Sequence, residues 1–138
     1  MPKPRIHNEA DVKAQVKKHL NRHDWFWWMP AANGYGTSGV SDFCAVRNGV
    51  FLAVETKFAP RKPTAKQIAF LNSIAAEDGI GLVVNDRNLD VFAQWLDLFD
   101  KSVAATSKGE KPPQDVGAAL FDATAVLTQL IPTDGDDG

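Results

Sequence analysis

The chain has 138 residues and a formal net charge of −2. That is enough length for one domain with a tail, and too little positive charge to announce a nucleic-acid partner by its overall field. Its single cysteine, Cys44, excludes an internal disulfide and fits a reducing cytoplasm, and no apolar run resembles a signal peptide or is long enough to cross a membrane. The charge is uneven: residues 1–22 carry Lys3, Arg5, Lys13, Lys17, Lys18 and Arg22 against only Glu9 and Asp11, whereas the last residues, TDGDDG, are acidic.

The first predicted element is a helix from Asn8 to about Arg22. Asn8 suits the N-cap, Glu9 and Asp11 suit the positive end of the helix dipole, and Val12, Val16 and Leu20 form an i, i+4 stripe. Trp25 to Met29 reads as a strand with aromatic residues on both faces, stopped by Pro30. Ala31 to Gly39 reads as a mobile, Gly-rich loop. Two strands follow, Asp42 to Arg47 and Val50 to Lys57, joined by Asn48-Gly49, the pair that type I′ hairpin turns favour. After the breaker Ala59 to Pro63, Thr64 to about Glu77 reads as a helix with Ile68, Leu71, Ile74 and Ala75 apolar, ended by Gly79 and Gly81. Leu82 to Val84 is a short buried strand, and Leu89 to Phe99 a further helix. This gives a core over residues 1–99. Residues 100–114 read as a linker, 115–131 as an amphipathic helix capped by Asp115, and 132–138 as a disordered acidic tail. Helix, three strands, helix, strand and then helical additions predict an α/β layer structure with a mixed sheet.

The hairpin fixes a register. Arg47 pairs with Val50, and stepping back pairs Cys44 with Ala53, Phe43 with Val54 and Asp42 with Glu55. Side chains alternate, so Asp42, Cys44, Val46, Phe51, Ala53, Glu55 and Lys57 share one face. Opposed residues have Cβ atoms roughly 4.5–5.5 Å apart, which makes Asp42 and Glu55 neighbours, with Lys57 one step beyond. Opposed like charges destabilise a sheet, more so when buried, and a divalent cation held by oxygen ligands is the natural compensation. Lys57 would neutralise part of the charge, stabilise charge developing on a phosphate or orient a water. Taken singly, each residue also fits an ordinary charged strand end; the joint pattern points to a site.

Other candidates carry two readings each. Thr64 to Gln67 fits a capping box, with Thr64 as N-cap and Gln67 at N3. The same position sets Gln67 at the start of the helix after the acidic strand, within reach of a phosphate or a water. Glu9 is either a dipole-compensating acid or a third carboxylate beside the inward stripe. His7, His19 and His23 are not spaced as a zinc site with one another or with Cys44, and Cys44 reads as packing. The run GYGTSG (Gly34 to Gly39) lacks the P-loop and dinucleotide fingerprints. Its Tyr35, Thr37 and Ser38 suit either contact with a nucleic acid or an ordinary loop. The four tryptophans read as core and not as base-stacking platforms.

GVSD (Gly39 to Asp42), FLAVETK (Phe51 to Lys57) and PTAKQIAFLNSIAAEDGIGLVV (Pro63 to Val84) together resemble the VRR-NUC branch of the PD-(D/E)XK nuclease superfamily. That branch shows a Gly-x-Pro-Asp start, a Glu-x-Lys strand, and a Thr/Ser-x-x-Gln helix followed by a glycine and an apolar strand. The resemblance covers roughly Glu9 to Leu96, and Ser41 departs from it where proline is common. It implies a restriction-endonuclease-like αβββαβ core, with a central mixed sheet flanked by helices and here a C-terminal helical extension. It also implies hydrolysis of DNA phosphodiesters with Mg²⁺ or Mn²⁺. By position, Asp42 and Glu55 match the metal-binding acids, Lys57 the catalytic lysine, Gln67 the helix glutamine and Glu9 the first-helix acid of some members. Related Holliday junction resolvases act as dimers on branched DNA, so the resemblance admits a homodimer and makes junction or flap cleavage an expectation.

The reading is therefore a metal-dependent deoxyribonuclease, cytoplasmic and bacterial or phage-encoded. Glu9, Asp42, Glu55 and the carbonyl of Thr56 would hold the cation, with Lys57 and Gln67 beside it. Lys13, Lys17, Arg61, Lys62, Lys66, Tyr35 and Ser38 would hold DNA. The rivals are a non-catalytic module that binds DNA or a protein, and a structural domain whose charges are incidental.

Overall fold

An apolar stripe on a capped helix is enough to start the fold. In a computed structural model, which describes residues 4–31 and 39–132, helix α1 spans Glu9–Arg22. Asn8 caps it, its Oδ1 accepting from the Asp11 amide at 2.9 Å. Val12, Val16 and Leu20 are fully buried, as their spacing requires.

The strands are β1 (Phe26–Trp28), β2 (Phe43–Arg47), β3 (Val50–Thr56) and, after helix α2 (Ala65–Ala76), β4 (Ile80–Val84). They form one open sheet in the order β1-β2-β3-β4, antiparallel except for the parallel β3–β4 pair. The fold is thus α/β with a mixed sheet. The turn residues Asn48 and Gly49 both have positive φ, 51° and 78°, as a type I′ turn demands. The hairpin register runs from Arg47↔Val50 to Phe43↔Val54, as the sequence predicts.

Several boundaries differ from expectation. β1 is three residues long, two fewer than predicted, and the ladder of β2 begins at Phe43, so Asp42 stands outside it. β3 stops at Thr56, leaving Lys57 just beyond. Gly81 does not end α2; it lies within β4. A Cβ there would meet the Leu71 carbonyl oxygen at 3.0 Å, so the glycine lets α2 sit close on the sheet. The left-handed residue after α2 is Asp78, with φ 64°.

The larger correction is C-terminal. Helix α3 runs Leu89–Ser107, so residues 100–107, expected as linker, are helical. The polar composition of this stretch hides Val103, which packs on the core beside buried Trp95, Leu96 and Phe99. Helix α4 (Gln114–Leu127) starts at an N-cap Pro113 without a side-chain hydrogen bond. Asp115 lies in its first turn and is not the cap. Val116, Ala123 and Leu127 are buried in the same cluster as the sheet and α1, and Trp95 Nε1 donates to Thr124 Oγ1 at 2.9 Å. The last two helices are therefore part of one core and not an appendage. The predicted acidic tail, apart from Pro132, lies outside the described residues.

One sheet face, with Phe43, Ala45, Leu52, Val54, Leu82 and Val84, packs on α1, α3 and α4. The other, with Ala53 and Val83, packs on Leu71 of α2 and on Ile131 after α4. Trp25 and Trp95 are buried, as read from the sequence, but Trp28 is 40 % exposed. Among the described residues, no helix is long and apolar enough to cross a membrane.

Candidate active site

The second face ends in a charged cluster where β3 runs out. Glu55 is carried by β3 between β2 and β4, opposite Val83, and is only 2 % exposed. Asp42 arrives from the segment before β2. Ladder pairing with Glu55 is not what holds it; Asp42 Oδ2 accepts from the Thr56 amide at 2.9 Å and from Thr56 Oγ1 at 2.6 Å. The approach is tight. Gly39 has φ 78°, and a Cβ on it would lie 2.6 Å from the Lys66 carbonyl oxygen. Buried Ser41 then closes the turn, its Oγ donating to the Phe43 carbonyl at 2.9 Å.

Glu55 Oε1 accepts from Gln67 Nε2 at 3.0 Å and lies 3.9 Å from Lys57 Nζ. Its other oxygen, Oε2, is buried without a hydrogen-bond partner among the described residues. Burial, and then the Asp42 carboxylate beside it, push the Glu55 carboxyl up to about 8, against a smaller opposing pull from Lys57. Without a cation the group is therefore mostly neutral at pH 7.

Both readings of Gln67 hold at once. The capping box is present: the Gln67 amide donates to Thr64 Oγ1 at 3.2 Å, and Gln67 Oε1 accepts from the Thr64 amide at 2.8 Å. The Nε2 end of the same side chain reaches Glu55. A side-chain amide has a donor end and an acceptor end, so one residue can cap a helix and hold an acid together.

Lys13, expected to contact DNA, lies instead between Glu9 Oε2 at 3.3 Å and Asp42 Oδ1 at 3.7 Å. Burial lowers its pKa, but the Asp42 and Glu9 carboxylates outweigh that and leave it raised. Glu9 thus meets the site through Lys13. It does not join Asp42 and Glu55 in a group whose ligand atoms all lie within 4.8 Å of one another. Thr56, expected to act through its carbonyl, has a part that the sequence did not disclose: its amide and hydroxyl hold Asp42. Lys17, Arg61, Lys62 and Lys66 are exposed. Tyr35 and Ser38, with Thr37, lie outside the described residues.

The donor set suits a hard divalent cation. Among the described residues Glu55 Oε2 lacks a hydrogen-bond partner, and Asp42 Oδ1 lies 3.7 Å from the Lys13 ammonium. Two carboxylate oxygens on one face match the protein share of a Mg²⁺ or Mn²⁺ site completed by water and phosphate. Cys44 is buried, and burial raises its thiol pKa, consistent with a packing role.

A second cluster was not visible in the sequence. His23 Nδ1 lies 2.5 Å from Asp100 Oδ2, and its Nε2 lies 3.5 Å from Asp97 Oδ1. Arg47 also pairs with Asp100. These residues join the end of α1, the end of β2 and the middle of α3. The i, i+3 spacing of Asp97 and Asp100 marks one helix face, but nothing local ties that face to His23 or Arg47.

No protein-family model matches the chain, and no curated protein matches it either.

Proposed function

We propose that the protein is a Mg²⁺- or Mn²⁺-dependent nuclease that hydrolyses DNA phosphodiester bonds, built on a restriction-endonuclease-like core. The observation that carries this reading is the buried Glu55 oxygen without a hydrogen-bond partner among the described residues, on a carboxyl beside Asp42 and Lys57. A purely structural site would not favour a buried acid pair, because above the ordinary pKa of a glutamate it costs stability to hold Glu55 protonated beside Asp42. Asp42 and Glu55 would hold the cation, with Glu9 acting through Lys13. When bound, the cation would supply polarisation of the scissile phosphate and activation of the attacking water. Lys57, 3.9 Å from Glu55, would stabilise charge on a phosphate. Gln67 fixes the Glu55 carboxylate, and Thr56 fixes that of Asp42. Exposed Lys17, Arg61, Lys62 and Lys66 are available to a phosphate backbone.

The test is cleavage of supercoiled plasmid and of linear, flapped and four-way DNA with Mg²⁺ or Mn²⁺. The wild type should cut at least one substrate, and Lys57→Ala should lose roughly 100-fold or more, as removal of an electrostatic stabiliser does. Absence of cleavage of every substrate, or equal cleavage by Lys57→Ala, overturns the catalytic reading. Cation-independent DNA binding without cleavage would favour the non-catalytic alternative.

A further inference from the structure

We infer that Phe26 and Trp28 form a stacking platform for unpaired bases of the DNA strand that feeds the Asp42–Glu55–Lys57 site. The inference rests on the nuclease reading for its direction along the sheet. Phe26 is 73 % exposed and Trp28 40 %, both on the edge strand β1. Apolar side chains scattered singly need no explanation, but these two rings lie together as one patch. Their ring centroids are 5.9 Å apart, and Trp28 lies 6.1 Å from the Phe51 ring.

The pairing places these rings in line with the site. Phe26 is opposite Val46, which is opposite Phe51; Trp28 is opposite Cys44, which is opposite Ala53. Side chains at paired positions share a face, so both rings stand on the face that carries Glu55. Phe26, Trp28 and the acid site occupy successive two-residue rungs at the levels of Phe51, Ala53 and Glu55. From Trp28 to Glu55 is about two strand spacings across and two residues along, roughly 12 Å between Cα atoms. An extended strand covers that in a few nucleotides.

The occupant is small. The exposed parts of Phe26 and Trp28 amount to roughly 250 Å² on the usual side-chain areas. A stable dimer needs about 800 Å² from each partner. Two flat rings near a phosphate-directed site match bases, each of which offers a π-face irrespective of sequence.

The test is binding of an oligo(dT) strand and of a blunt duplex in EDTA, by quenching of tryptophan fluorescence and by anisotropy of labelled DNA. Expected is quenching by oligo(dT). The double variant Phe26→Ala/Trp28→Ala should bind oligo(dT) roughly 5- to 100-fold more weakly, with duplex affinity unchanged. Trp28→Phe should bind oligo(dT) nearly as the wild type does, because it keeps a ring. Both positions are exposed, and an unchanged thermal melt will show that the variants fold. Equal oligo(dT) affinity for wild type and double variant overturns the platform, even if both cut DNA and the nuclease reading stands. Quenching that depends on both rings, with no cleavage of any DNA, keeps the platform and removes the nuclease reading. A wild-type dimer in sedimentation that the double variant turns to monomer, with oligo(dT) affinity unaltered, overturns the platform in favour of a second copy of the chain.

Discussion

Replacing Glu55 with Gln keeps the size of a side chain that is 2 % exposed and removes its ionisation. In the folded, metal-free protein the carboxyl is pushed up to about 8 from its ordinary 4.5, first by burial and then by Asp42. Between those values the folded state keeps a proton that the unfolded chain has released. Stability is therefore full below pH 4.5, falls as pH rises towards 8, and stays low above it. At about 1.4 kcal/mol for each pH unit, the loss is on the order of 5 kcal/mol by pH 8 and about 3 kcal/mol by pH 7. Glu55→Gln has no such slope. Urea denaturation in EDTA at several pH values between about 5 and 8 should show the variant gaining on the wild type steadily as pH rises. Any fixed cost of turning the amide at position 55 towards Gln67 shifts that difference by a constant and leaves its slope intact. Saturating Mg²⁺ should narrow or reverse the difference, because only the wild type offers an ionised carboxylate to the cation. A difference that stays flat across this range refutes the burial-and-repulsion account of Glu55.

Thr56→Val keeps the shape of a fully buried side chain but removes its 2.6 Å bond to Asp42, leaving the 2.9 Å bond from the amide. It should cost about 2 kcal/mol in urea denaturation, typical of a hydrogen bond to a charged group, and should weaken Mn²⁺ binding measured by calorimetry. Leu127→Ala should cost about 3 kcal/mol, because Leu127 is fully buried in the core shared by α4, α1 and the sheet. Fluorescence and far-ultraviolet circular dichroism should then shift together to lower urea; a shift confined to the helical signal would mean that α4 unfolds alone.

Local signals carried most of the sheet. Asn48-Gly49 fixed a register that five residue pairs follow, and the Thr64-x-x-Gln67 spacing announced the capping box. The signals failed where non-local packing decides. Nothing within residues 100–107 announces that they continue α3; burial of Trp95 and Phe99 and the docking of α4 extend it past a polar surface. Alternation placed Asp42 on the right face, yet the ladder ends one residue before it, and the hydroxyl of Thr56 does the holding. Lys13 read as a surface cation because Asp42, which joins its i, i+4 neighbour Glu9 as a partner, comes beside α1 only in the folded chain. Trp28 read as core by residue type, whereas its edge strand leaves one side uncovered among the described residues.

The contact between Gly39 and the Lys66 carbonyl ties two parts of the site to one turn of helix. Lys66 immediately precedes Gln67, so the first turn of α2 seats the segment that delivers Asp42 and also supplies the amide that holds Glu55. Fraying of that turn would free Glu55 from Gln67 and unseat the segment that leads to Asp42, while Thr56 still grips the Asp42 carboxylate. The two acids are thus secured by different elements, and the hydroxyl of Thr64, which touches neither acid, guards the alignment of one with the other.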